Sequence, residues 1–154
     1  MKSQPSPTPW WFLAAAAIFC GALNAGLVLA WARDPSNRYG SFAFLIWAAG
    51  IALLAWPPHG PAARLPVWVA SLAICVIGQA GSLQVLKQVG LALLLASTIR
   101  PLPAAAIMLA AASTWTPAWG WLATHFAGPS FDGSRPAFGL AAFVAARLLA
   151  SPQK

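Results

Sequence analysis

From Trp10 to Ala32 the chain runs for 23 residues without one charged side chain. Coiled as an α-helix, such a stretch is roughly 34 Å long, enough to cross a hydrocarbon layer of about 30 Å. A cleaved signal peptide competes with this reading, because Ala30-Trp31-Ala32 has the small-x-small look of a cleavage site. The run exceeds the roughly 7–15 apolar residues of a signal core, which favours an uncleaved helix retained in the mature protein.

Composition points the same way. Of 154 residues, 60% are hydrophobic and 7% charged, against about a quarter charged in an ordinary globular domain. A soluble chain of this size needs more charge to coat its surface, so the surplus apolar surface is expected to face a lipid bilayer. Nine of the charges are basic and two, Asp34 and Asp132, are acidic, a formal +7. The basic residues Lys2, Arg33, Arg38, Arg64, Lys87, Arg100, Arg135, Arg147 and Lys154 are scattered and fall mostly near the ends of apolar runs. That placement suits lipid headgroups; without a basic cluster, nucleic acid is not an expected partner.

The punctuation of the chain divides it into an all-α, polytopic transmembrane bundle of about six helices, five being the alternative. Residues 1–9 (MKSQPSPTP) read as a disordered tail, 10–150 as the helical domain and 151–154 as a C-terminal tail. The loop RDPSNR (33–38) ends the first span, and the second runs from about Tyr39 to Trp56, stopped by Pro57-Pro58-His59-Gly60-Pro61. Leu65–Ala80 and Leu83–Thr98 read as a tight hairpin turning at Gly81-Ser82. A fifth span covers about Leu102–Leu122, with a kink expected at Pro117. His125–Pro136 reads as the longest polar connector, solvated, with an Asp-Gly turn at 132–133. The last run, Ala137–Ala150, contains Arg147 and is short enough to lie at the interface instead of spanning. Basic residues divide almost evenly between the two sides, so orientation is not set by them.

Few residues stand out as chemistry. Asn24 and Lys87 are the polar candidates inside apolar runs: Asn24 as an interhelical hydrogen-bonder or a substrate contact, Lys87 as a snorkelling side chain near Gln84 and Gln88 or the border of an ion path. His125, Asp132 and Arg135 share the long connector and are the only catalytic candidates, as base, orienter and anion binder, with Ser130 and Ser134 as nearby hydroxyls; an ordinary solvated loop is the favoured explanation for them. His59 reads as an exposed loop residue. Small residues four apart, Gly21/Ala25, Ala106/Ala110 and Ala141/Ala145, suit close helix approach within the bundle or towards a partner subunit. Trp115, Trp119 and Trp121, with Trp10, Trp11, Trp31, Trp56 and Trp68 near other span ends, suit an interfacial aromatic belt. Cys20 and Cys75 lack metal-ligand or CxxC spacing and read as buried apolar thiols. No cofactor or metal site is expected.

One stretch carries a family resemblance. From Gly81 to Trp121, an apolar helix ending in Thr98-Ile99-Arg100, the connector Pro101-Leu102-Pro103 and a small-residue helix closing with Thr116-Pro117-Ala118-Trp119 resemble part of the exosortase and archaeosortase membrane proteins, over about a quarter of the chain. The resemblance implies a membrane-embedded transpeptidase-like enzyme using a cysteine followed by Arg and His on later helices. Cys20 and Cys75 both precede the similar stretch and lack the Ala-Cys-Ser-Gly type of motif, so no catalytic residue carries over. The expected function is a non-catalytic accessory or scaffold subunit in a bacterial-type inner membrane; the alternatives are a small transporter or channel component and a membrane enzyme of the exosortase type.

Overall fold

An apolar chain offers its backbone amides few partners other than one another, and local coiling satisfies them at once. The structure, a computed structural model, describes residues 10–34, 37, 39–55, 65–126 and 128–151. Among them every regular element is helical. The sequence expectations for His59, Trp56, Arg38, Arg64, Lys2 and Lys154 lie outside the described residues.

The elements are α1 (Trp10–Leu23), α2 (Gly26–Arg33), α3 (Gly40–Ala55), α4 (Leu65–Ala80), α5 (Gln84–Ala96), α6 (Leu102–Ala111), α7 (Pro117–Phe126) and α8 (Arg135–Ala150), with 3-10 turns at Ala112–Trp115 and Pro129–Ser134. No single described helix is long and apolar enough to cross a membrane; α1 and α2 together are, with a 45° bend between them.

That bend corrects the expectation of one continuous first helix. At the break the Asn24 amide donates to Gly21 O (3.0 Å) and the Ala25 amide to Ala22 O (3.1 Å), tightening the last turn of α1. The Asn24 side chain reaches back to Cys20 O, one turn earlier, with Nδ2 at 2.8 Å. A short amide that bonds its own backbone competes with the helical ladder, which is why such residues interrupt helices.

The kink expected at Pro117 begins earlier. Helix α6 ends at Ala111, and Ser113 and Thr114 turn their hydroxyls back onto Ala110 O (2.8 Å) and Ala111 O (2.7 Å). Thr116 is extended (φ −85°, ψ 151°), as a residue ahead of proline is pushed to be, and α7 then starts at Pro117.

The α4–α5 hairpin forms as expected, with Ser82 in the left-handed region at its turn (φ 54°). Helix α1 packs on both of its arms, while α3, α6 and α8 form a second group joined to the first through α5 and α6. Tryptophans fasten the groups from inside: Trp47 Nε1 donates to Met108 O (2.6 Å), Trp31 Nε1 to Trp115 O (3.2 Å) and Trp68 Nε1 to Ser97 Oγ (3.0 Å). Trp68 and Trp115 are therefore core residues, which corrects their assignment to an aromatic belt; Trp11 and Trp121 do lie on the outside.

The small-residue pairs do not make the seams inside the bundle. Ala25, Ala106, Ala110 and Ala141 face outward, and nothing lies within 4 Å of a Cβ placed on Gly21. The close helix contacts are made elsewhere, at Gly78 and Gly90 between α4 and α5, and at Gly50 against Met108 and Phe143.

Candidate functional site

Two polar knots lie inside this apolar bundle. The first forms where helix ends meet: the α2–α3 connection, the break after α6 and the start of α8. Arg135, the first residue of α8, is completely buried, and Asp132 is 5% exposed. The Arg135 guanidinium forms an ion pair through Nε with Asp132 Oδ1, donates through Nη2 to Asn37 Oδ1 (2.9 Å) and approaches Thr116 O through Nη1 (3.4 Å). Asn37 in turn donates from Nδ2 to Asp34 Oδ2 (2.6 Å). Both acids of the chain, 98 residues apart, thus converge on one arginine, Asp34 through Asn37.

The electrostatics explain the pairing. A cation at a helix N-terminus faces the positive end of the helix dipole, and burial removes it from water as well. Burial pushes the Arg135 pKa below its ordinary value, while the Asp132 and Asp34 carboxylates pull it back up. A buried charge persists in a fold when it is paired and hydrogen-bonded, and Asp132, three residues ahead, supplies the counter-charge. The expectation of a solvated connector at 125–136 is therefore corrected: α7 continues to Phe126 and the segment's charged pair is interior.

The structure brings Asp132 and Arg135 together. His125 sits on the exposed last turn of α7, its ring tilted 30° against that of Trp121 (ring centroids 4.3 Å) with Nδ1 2.8 Å from Trp121 O. Ser134 donates to Phe131 O (2.5 Å). Asn37 and Asp34 belong to the knot and were missed as site residues; the signal was their place in a short RDPSNR loop holding one of only two acids.

The second knot joins α1, α4 and α5. Asn24 Nδ2 also donates to Lys87 O (3.1 Å), and the Cys75 thiol donates to the same carbonyl (3.4 Å). Cys20 and Cys75 are both free thiols. Asn24 is 4% exposed and both thiols are fully buried; Asn24 Oδ1 accepts no hydrogen bond. The two polar candidates inside apolar runs, Asn24 and Lys87, thus meet through the backbone of Lys87, whose ammonium runs outward to donate to Gln79 Oε1 (3.2 Å). Among the described residues no three His, Cys, Asp or Glu side chains gather as metal ligands.

Compared with known proteins, the chain matches no family model, no curated protein sequence and no solved structure.

Proposed function

We propose that this chain is a membrane-embedded helical bundle acting without catalysis, as an accessory or scaffold subunit of a bacterial-type inner membrane. The observation that carries the reading is its apolar exterior. Large apolar side chains stand outside on nearly every helix, among them Ile18 (74% exposed), Val28, Leu45, Leu53, Ile77, Leu102 and Leu148, while Arg135, Asp132, Asn37, Asn24, Gln88 and Ser71 are buried. So many exposed large apolar side chains are unusual for a monomer in water; against acyl chains they are the expected surface. Helices of 16 residues such as α3 and α4 measure roughly 24 Å, so flanking residues or local bilayer thinning would make up the difference to about 30 Å.

The scaffold role is supported by what the reactive groups do. Asp132 is occupied by Arg135, His125 by Trp121 O, and the Cys75 thiol by Lys87 O, which favours structural joints over a catalytic set. Two apolar grooves flank α6, one of about 380 Å³ beside Ala106 and Leu102, the other of about 300 Å³ beside Ala110 and Gln88. They suit a neighbouring transmembrane segment.

The test is native mass spectrometry of the full-length protein extracted from membranes in mild detergent. A partner at fixed stoichiometry, lost when Ala106 and Ala110 are both replaced by Phe, is expected. A lone monomer, or a protein already present in the detergent-free supernatant, overturns the reading.

A further inference from the structure

The smaller of the two grooves beside α6, about 300 Å³, has an apolar wall of Val85, Val89, Ala92 and Leu109. One residue does not suit that lining. Gln88 is 3% exposed, yet its carboxamide has no hydrogen-bond partner among the described residues. Two donors and an acceptor of a buried group are therefore left to the groove it lines. An amide buried without a partner costs free energy, and the fold holds this one in place. The turn of α5 that carries it is pinned by α1 and α4: Lys87 O accepts from Asn24 Nδ2 (3.1 Å) and from the Cys75 thiol (3.4 Å), and Gly90 lets α5 close onto Ser71 and Cys75. Ser113 and Thr116 also line the groove. Their hydroxyl protons go to Ala110 O (2.8 Å) and Ser113 O (2.9 Å), which leaves their oxygens as acceptors.

We propose that this groove binds an uncharged amphiphile, whose apolar chain lies along Val85, Val89 and Leu109 and whose head, donating and accepting a hydrogen bond as a primary amide does, pairs with the Gln88 carboxamide. An apolar concavity with a few placed polar groups is the usual form of a small-molecule site, and its volume is at the lower end of the roughly 300–1,000 Å³ such sites occupy. The head is uncharged because no lining residue is charged. Lys87, next in the chain, turns its ammonium to Gln79 Oε1 (3.2 Å), and Arg135, which approaches Thr116 O, is paired with Asp132. A carboxylate or phosphate would enter without a counter-charge and lose its hydration. The inference rests on the membrane reading, since the ligand reaches the groove from the acyl layer; it concerns this groove alone and leaves the larger one to a neighbouring segment.

The experiment illuminates the full-length protein in phosphatidylcholine vesicles with a hexadecanamide that carries a diazirine on its chain, and locates the label by mass spectrometry. Label is expected on residues 85–92 and 109–116, displaced by excess hexadecanamide but not by hexadecane or hexadecyl sulfate. Gln88→Leu should lower it about tenfold, the loss of one buried hydrogen-bonding partner. Val89→Trp, which fills the groove and leaves Gln88 intact, should do the same. Because Gln88→Leu removes an unpaired buried amide, the variant should melt no lower than the parent, and hexadecanamide should raise the melting temperature of the parent only. Unchanged labelling in either variant, equal displacement by hexadecane or hexadecyl sulfate, or a Gln88→Leu protein that melts below the parent would overturn the proposal. Recovery of the protein from the aqueous supernatant instead of the vesicles would overturn the membrane reading on which it rests.

Discussion

Arg135 stands at the positive end of α8, buried, with its charge compensated by Asp132 and its remaining donors turned to Asn37 and Thr116 O. Removing one member of a buried ion pair leaves the other uncompensated, at a cost of about 3–5 kcal/mol, whereas replacing both by apolar groups of similar size is often close to neutral. Asp132→Leu alone should therefore destabilise the folded protein by about that amount, and the double variant Asp132→Leu with Arg135→Met should recover most of the loss. Unfolding titrations of the four species in one detergent measure the coupling; equal losses in the single and double variants would mean that the ion pair carries no such penalty. The importance of this arginine was only partly readable from the chain. Asp132 and Arg135, three apart, were visible as neighbours, but their burial depends on Asn37 arriving from 98 positions away, a contact that no local pattern encodes.

At the scale of elements, glycines divide into those that permit contact and those that do not. A Cβ on Gly90 would sit 2.5 Å from Cys75 Sγ and 2.8 Å from Ser71 O, so α4 and α5 would have to separate. Gly90→Ala is expected to lose about 1–3 kcal/mol through overpacking. Gly21→Ala meets nothing within 4 Å and is expected to lose no stability, since alanine is the better helix former. Thermal unfolding of the two variants side by side checks the contrast; comparable losses would refute the α4–α5 contact. The same contrast shows what periodicity reveals. Spacing placed the α4–α5 hairpin and α3 within a few residues, because their boundaries are marked by proline, glycine and charge. The four-residue spacing of small residues did not separate seams from surface, because an alanine-rich helix carries such pairs on every face. The breaks at Asn24 and Ala112 were hidden for a related reason. Each is made by side-chain polar groups turning onto carbonyls one turn back, while the apolar run that encloses them continues unbroken.

For the molecule as a whole, composition was the strongest guide: a chain with 7% charged residues folds into helices with an apolar core that holds a few polar groups and with many Leu, Ile, Val and Phe side chains outside as well. The helical class was legible because apolar runs bounded by proline and charge leave the backbone little alternative, whereas the choice of which tryptophans lie inside depended on carbonyl partners such as Met108 O and Trp115 O. The central claim is that this apolar exterior meets lipid. Spin labels introduced one at a time at Leu45, Ile77 and Leu148, in a Cys20→Ala, Cys75→Ala background reconstituted into bilayers, test it through their collisions with molecular oxygen and with a water-soluble nickel chelate. High oxygen and low nickel accessibility at all three positions is the predicted result; free access of the nickel chelate to these labels in the folded protein would contradict it.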